Sequence, residues 1–252
     1  MSILSNNRFL QRVNPEIARA RTDAGASLVS DHAVIQPLMR QMVDLGIADS
    51  LKLWVHSGLV DTVSSGGNLL IPKAYDISGE ENDAVQATPE NQPRLISDGM
   101  DFSGDFLVAN NTAALGTVMT WINLGSVTST EYFLGGDNQG VRYNGDNFLV
   151  FNGSTGFTTV NWTKVSAYVH FATTRVDTTV GYDIYINAEK IGTSNAGNAN
   201  NDIIITDIGR RPGSTPFYFR GPLNDIRIFN STLSTSQITS IYNSTKGYYG
   251  IT

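Results

Sequence analysis

Cysteine is missing from all 252 residues. Its absence removes disulfides, thiolate nucleophiles and cysteine-based zinc sites together. Charge is scarce too: Asp, Glu, Lys and Arg make up 16% of the chain, and the net charge is −6. Nucleic-acid binding is driven by clustered Lys and Arg that release counterions, so this balance argues against a nucleic-acid partner. No run of Lys or Arg suits an anionic membrane surface, and no apolar run approaches the ~20 residues that span a bilayer. The opening MSILSNNRFLQRVNPEIARAR lacks the apolar stretch of a secretory signal. The three histidines, His32, His56 and His170, are too scattered for a helix-borne zinc pair. Neither a G-x-S-x-G nor a P-loop pattern occurs.

What is abundant is turn chemistry. The chain holds 24 glycines among many Ser, Thr and Asn, with 40% hydrophobic residues. Such residues are costly inside helices and useful in turns, so short strands are expected. From Gly99 to Asn243 the apolar period is two. VMTWINL (118–124), YVHFATT (168–174), YDIYIN (182–187), DIIIT (202–206) and NDIRIFN (224–230) alternate or run apolar over strand length. Gly-, Asn- and Asp-rich turns separate them, which predicts a mainly β chain, an antiparallel sandwich or barrel. Ser234-x-x-Gln237 is a capping box that opens a short helix through Ile238 and Ile241.

The N-terminal part reads differently. Residues 1–33 are polar, broken by Pro15, and carry Arg8, Arg12, Arg19 and Arg21. Such a stretch is either an extended arm ordered by a partner or a strap across the sandwich. Residues 34–57 form a helical element: Ile35, Leu38, Met39, Met42 and Val43 share one helix face. Pro37 fits the first turn, and Gly46 ends the helix. Leu51, Trp54 and Val55 suit a second helical turn or a first strand. The Met-bearing face must bury either on its own sandwich or against a partner. Residues 57–98 carry the breakers Ser64-Ser65-Gly66-Gly67, Pro72, Pro89 and Pro93 and predict irregular strands and loops. The sandwich is assigned to 58–252.

Several blocks together resemble a known family. They are Gly99-x-x-Phe102-x-Gly104, Thr117-x-x-x-Trp121-Ile122, and the strand and turn from Asp183 to Gly192. The closing block is Phe219-x-Gly221-x-Leu223-x-Asp225-x-Arg227-Ile228-Phe229-Asn230, then Leu233-Ser234, Gln237-Ile238 and Ile241-Tyr242. This order resembles the laminin-G-like, concanavalin A-like lectin jelly roll. The one departure is Ala188 where the family has Gly, which leaves the form of that turn open. The leading segments AYDISGEENDAVQATPENQPRLISDGMDFSG and LMRQMVDLGIADSLKLWV are similar to segments before such sandwiches in bacteriophage virion proteins.

The resemblance implies a sandwich that binds or builds. As a virion protein the chain would be a capsid- or tail-associated decoration or fibre protein. It would partner other virion proteins, assemble as a homo-oligomer, and hold host-surface glycans. Residues Arg8, Arg12, Arg19, Arg21, Leu38, Met39 and Met42 would anchor it. The alternatives are a free carbohydrate-binding lectin domain and a glycoside hydrolase. The fold includes retaining β-glucanases, which need two carboxylates ~5 Å apart across a sugar. Their E-x-D-x-x-E strand is matched here only by Asp183 and Glu189, six residues apart, and Glu131 stands alone, so no enzyme activity is expected. Related sandwiches hold calcium at loop ends, for which Asp101, Asp137 and Asp207 are candidates; each also suits a turn or cap. Sugar contacts call for aromatic rings beside planar polar groups. Two loops offer them: Asp137, Asn138, Arg142, Tyr143 and Asn144 in one, and Arg210, Arg211, Pro212 through Phe217 and Tyr218 in the other. Trp121 and Trp162 read as core residues, and His170 as a packed or surface strand residue and not a base.

Overall fold

The computed structural model describes Ala18 and residues 32–97, 99–125, 127, 129–137, 139–151, 158–177, 181–194, 202–213 and 215–252. In the strand Thr117–Asn123 every residue but the last is buried. A strand can be apolar on both faces only if both are covered. Val118 and Ile122 belong to the core between two sheets, while Met119 belongs to a second core formed with two helices. The neighbouring strand Tyr168–Asp177 repeats the split, with Phe171 in the first core and Ala172 in the second. The molecule is a β-sandwich with a helical layer on one outer face. This agrees with the mainly β, antiparallel architecture expected from the sequence.

The strand Arg220–Phe229 stands at the centre of the helix-covered sheet. On one side it pairs antiparallel with Thr117–Asn123, which continues through Tyr168–Asp177 and Gly181–Ile186 to Glu189–Ser194. On the other side it pairs with Gly99–Ser103 and with the first residues of Leu51–Ser65. The opposite sheet runs from Val160–Asn161 through Asn147–Phe151, Gln139–Asn144, Thr130–Gly136, Asp207–Ile208, Leu107–Ala109 and Ala84–Val85 to Asn68–Asp76. A short hairpin of Arg210–Arg211 and Phe217–Tyr218 is separate from both.

The breaker-rich stretch after residue 57 is more regular than its sequence predicts. Leu51–Ser65 is a 15-residue strand. It pairs first with Arg220–Phe229 and then with Asn68–Asp76, passing from one sheet to the other across a register break between Val55 and Val60. Gly66 and Gly67 (φ +57 and +83) close the hairpin in the left-handed conformations that a two-residue turn requires. The Ser64–Gly67 cluster is therefore one tight turn, while Pro72 lies within a strand and Pro89 and Pro93 lie in the irregular segment that follows it. Trp54 is accordingly a strand residue. That strand begins inside the segment read as helical and crosses position 58 without interruption.

The N-terminal helix runs from His32 to Asp44. Ile35, Leu38, Met39, Met42 and Val43 are buried in the second core with Trp54, Phe229 and Ile238. The 3.6-residue spacing thus reports packing on the chain's own sandwich. Pro37 departs from expectation: it stands in the second turn, exposed, and lacks the N–H that would close one helical hydrogen bond. The C-terminal helix Thr235–Thr245 opens with the predicted capping box, Gln237 N–H donating to Ser234 Oγ and Ser234 N–H to Gln237 Oε1. Gln41 joins the two helices by donating to the Ser240 carbonyl at 2.8 Å.

The turn at Ala188 keeps a tight two-residue geometry despite its departure from the family pattern. Asn187 (φ +50) and Ala188 (φ +66) both adopt left-handed conformations, and Ile186 pairs directly with Glu189. A Cβ in that region costs about 1 kcal/mol. Ala188→Gly is therefore expected to raise the unfolding free energy by about that amount in urea denaturation; an unchanged or lower midpoint would show the turn to be unstrained.

Candidate functional site

The sheet opposite the helices carries a cation–aromatic face on its outer side. Alternation along Gln139–Asn144 sends Val141 and Tyr143 into the inter-sheet core and Arg142 outward. Register places Arg142 beside Tyr132, and its Nη1 donates to Tyr132 Oη at 3.4 Å. Arg142 lies 5.7 Å from the Tyr132 ring centre and 6.0 Å from that of Phe151. From the separate hairpin, Arg211 approaches the same rings, 4.9 Å from Tyr132 and 5.8 Å from Phe151, and adds Phe217 at 4.7 Å. Two guanidinium groups thus share one aromatic cluster. Arg211 and Phe217 are half-buried and Tyr132 is buried.

Small residues allow this meeting. A Cβ on Gly135 would lie 2.3 Å from the Arg210 carbonyl oxygen and 2.6 Å from Arg211 Cα. Only a bare backbone lets the hairpin rest on the strand Thr130–Gly136. Arg210, next along, points to a different environment. Its Nε donates to Asp207 Oδ1 at 2.6 Å, and its guanidinium lies 3.2 Å from the Phe106 ring centre, beside Tyr218.

The predicted sugar contacts are therefore sorted by the fold. Arg142 and Arg211 come together, although they are 69 positions apart in sequence, while Arg210 and Tyr218 sit beside them around Phe106. Tyr143 is corrected: it is fully buried, its ring 4.9 Å from Phe148, and its hydroxyl donates to the Trp162 carbonyl. It offers no platform. Asn144 is exposed and accepts from Thr130 Oγ1. Asp137 is an exposed turn residue, and Asn138 lies outside the described residues. Of the rings that accompany the arginines, Phe217 belongs to the second predicted loop and faces Arg211 across its hairpin, while Tyr132 and Phe151 escape a reading by sequence neighbourhood because cross-strand register brings them in.

The calcium candidates do not converge. Asp207 is buried and bound to Arg210 and Thr206. Asp101 pairs with Arg94 at 3.3 Å. Among the described residues no group of three His, Asp or Glu is placed to hold a metal ion. The anchoring candidates divide likewise. Leu38, Met39 and Met42 are 2%, 0% and 0% exposed, so they hold the helix to its own sheet and cannot face a partner. Arg8, Arg12, Arg19 and Arg21 lie outside the described residues.

Beneath the helices lies a buried polar cluster that the closing motif supplies. Arg227 Nε donates to Asp225 Oδ1 at 2.8 Å, its Nη2 to Asp225 Oδ2, and Trp54 Nε1 to Asp225 Oδ1 at 2.8 Å. The guanidinium lies 4.7 Å from the Trp54 ring centre. Burial alone would raise the Asp225 carboxyl, but Arg227, His56 and the Trp54 hydrogen bond hold it below its ordinary value. His170 is buried 5.2 Å from Trp121. Its burial, reinforced by Arg227, pushes its pKa from 6.5 down to about 3. These residues are closed to any ligand, so they are part of the scaffold.

This combination defines a lectin-type β-sandwich bearing a cationic aromatic face. Residues 97–239 match the family model of the Concanavalin A-like lectin/glucanases superfamily, and the chain belongs to that family. No curated protein matches it. Among solved structures it is similar to Trypanosoma rangeli sialidase in complex with sialic acid, at 15% identity and a TM-score of 0.56, covering 87% of this chain and 40% of that one. It is similar also to the Botulinum neurotoxin serotype D ligand binding domain in complex with N-acetylneuraminic acid. There the identity is 17% and the TM-score 0.51, over 81% of this chain and 52% of that one. The chain thus spans about two-fifths of the sialidase and half of the toxin domain, and at these identities the likeness is one of fold.

Two outcomes follow from the geometry. His170 in the unfolded chain takes up a proton near pH 6.5, while in the folded chain it stays neutral down to about pH 3. The folded state therefore binds fewer protons in between, and this contribution is intact above pH 6.5 and lost as the pH falls. Linkage puts the loss at about 2 kcal/mol by pH 5. His170→Leu should flatten the dependence of Tm on pH between 4.5 and 6.5 relative to the native chain; parallel profiles would contradict it. Gly135→Ala should lower stability by roughly 1–3 kcal/mol through overpacking, and displaced Arg211 resonances in NMR spectra would report the moved hairpin.

Proposed function

We propose that this chain is a non-catalytic, glycan-binding module displayed by a bacteriophage virion, with its sugar contact on the Arg142–Arg211 aromatic face. One observation carries the reading: two guanidinium groups share the Tyr132 and Phe151 rings on an otherwise ordinary sheet surface. Phe151 and Phe217, half-buried where Tyr132 is buried, would stack on the C–H side of a sugar, and the planar guanidinium groups would bond its polar edge. Two similar structures are complexes with sialic acid and with N-acetylneuraminic acid, which supports a sugar as the class of ligand.

The absence of catalysis in this proposal is supported by what the carboxylates do. Asp183 is paired with Lys190 at 2.7 Å and accepts from Thr193 at 2.6 Å. Glu189 is exposed at the hairpin turn, opposite Ile186. Buried Glu131 accepts from the Arg220 N–H at 2.7 Å and faces its guanidinium. Burial raises its pKa, with Arg220 opposing, but no second carboxylate is described across a cleft from it, as glycosidic cleavage requires. The virion part is supported by the leading segments, and attachment falls to residues 1–33 because the helix face is spent on the sandwich. Copies arrayed on a particle would make a homo-oligomeric display, in which weak sites add up.

A glycan array probed with the full chain tests the first part. Binding that Arg142→Gln/Arg211→Gln abolishes is expected, and a silent array would overturn the glycan reading. Release of reducing sugar from any bound glycan would refute the non-catalytic one. Deleting residues 1–33 should leave the sandwich folded and end incorporation into particles; a truncated chain that still incorporates would overturn the anchoring role.

A further inference from the structure

We infer that the sugar held on this face is an acidic one, whose carboxylate is received by Arg211 with Arg142 beside it. The inference rests on the glycan-binding reading and adds the charge of the ligand. Its basis is a contrast among the arginines. Arg94, Arg175, Arg210, Arg220 and Arg227 each have a carboxylate within 3.3 Å. Arg211 has three aromatic rings instead, and among the described residues it meets no carboxylate. Its Nε is buried and has no hydrogen-bond acceptor there.

A guanidinium so placed has been partly removed from water without compensation. Ring contacts offset part of the loss, but they engage the cation through its π-faced surroundings and leave Nε–H without an acceptor. The N–H edge of a guanidinium is a planar fork matched to a carboxylate, and a charge-assisted pair there is about twice as strong as a neutral hydrogen bond. Arg142 adds a second positive charge over the same two rings. The pair raises the local potential for an anion and disfavours any cationic ligand. The half-buried Phe151 and Phe217 rings then receive the apolar side of the sugar that carries the acid. Both sialic acids and uronic acids present this combination.

The test uses the intact chain and matched probes. Methyl N-acetylneuraminide and methyl glucuronide, each beside its carboxyl methyl ester, are titrated while the Arg Nε–H resonances are followed by NMR. At least one acid should shift the Arg211 Nε–H signal and bind roughly tenfold more tightly than its ester, an advantage that shrinks with added salt. Arg211→Met should erase the preference, and Arg211→Lys, which keeps the charge without the fork, should restore only part of it. Equal binding of acid and ester, both weakened by Phe217→Ala, would overturn the acidic-sugar inference and leave the glycan reading standing. Sulfated sugars that lack a carboxylate, binding as tightly as the acids, would replace a carboxylate site with a general anion site. No binding by either form, with the array also silent, would remove both readings.

Discussion

The ion pair of Asp225 and Arg227 governs the architecture, because it forces a layer to exist. Arg227 is 1% exposed and Asp225 4%, on a strand at the centre of a sheet. A charge pair at such depth depends on the groups around it, although Arg227 Nη1 finds no hydrogen-bond partner among the described residues, and removing one member typically costs 3–5 kcal/mol. The partners come from separate parts of the chain: Trp54 gives an N–H and a ring, and His56 adds to the field around the carboxylate. A one-residue bulge between Asn224 and Arg227, with Asp225 at φ +49, turns both charged side chains to the outer face. The helices must then cover that face, and the apolar stripe of the first helix is the sequence's provision for it.

The fold was legible in the sequence where local period and long-range packing agree. Alternation from Val118 onward and the capping box at Ser234 gave the right elements, since both are written in neighbouring residues. The signature Asp225-x-Arg227 marked the family without disclosing its physical role. An ion pair looks like surface chemistry until strand register buries it. The stretch around Ser64 to Gly67 misled for the opposite reason. Clustered breakers suggest an irregular path, yet two left-handed glycines are what a long, tightly registered hairpin needs at its tip.

The site was half legible. Arg142 and Arg211 stood out as arginines among turn residues, but Tyr143 was grouped with Arg142 because the two are adjacent. Adjacent residues in a strand face opposite sides, so parity alone separates them once Gln139–Asn144 is known to be extended. The rings that replace it come from three other elements. Tyr132 is set by pairing register, Phe151 by the next strand, and Phe217 by a hairpin that lies across the sheet only because Gly135 lacks a side chain. No spacing rule in a single chain encodes that convergence.

The central place of Arg220–Phe229 also has a temporal consequence. Synthesis delivers the flanking strands first: Leu51–Ser65, Gly99–Ser103 and Thr117–Asn123 all leave the ribosome with their common partner still unmade. Each therefore waits with an open edge and an apolar face, the condition under which nascent β chains pair wrongly or attract chaperones. Closure comes when one late strand slides between early ones separated from it by some 100 to 170 residues, a topology that makes folding slow. The helix-covered sheet is thus closed at its middle, by the last of its strands to be made.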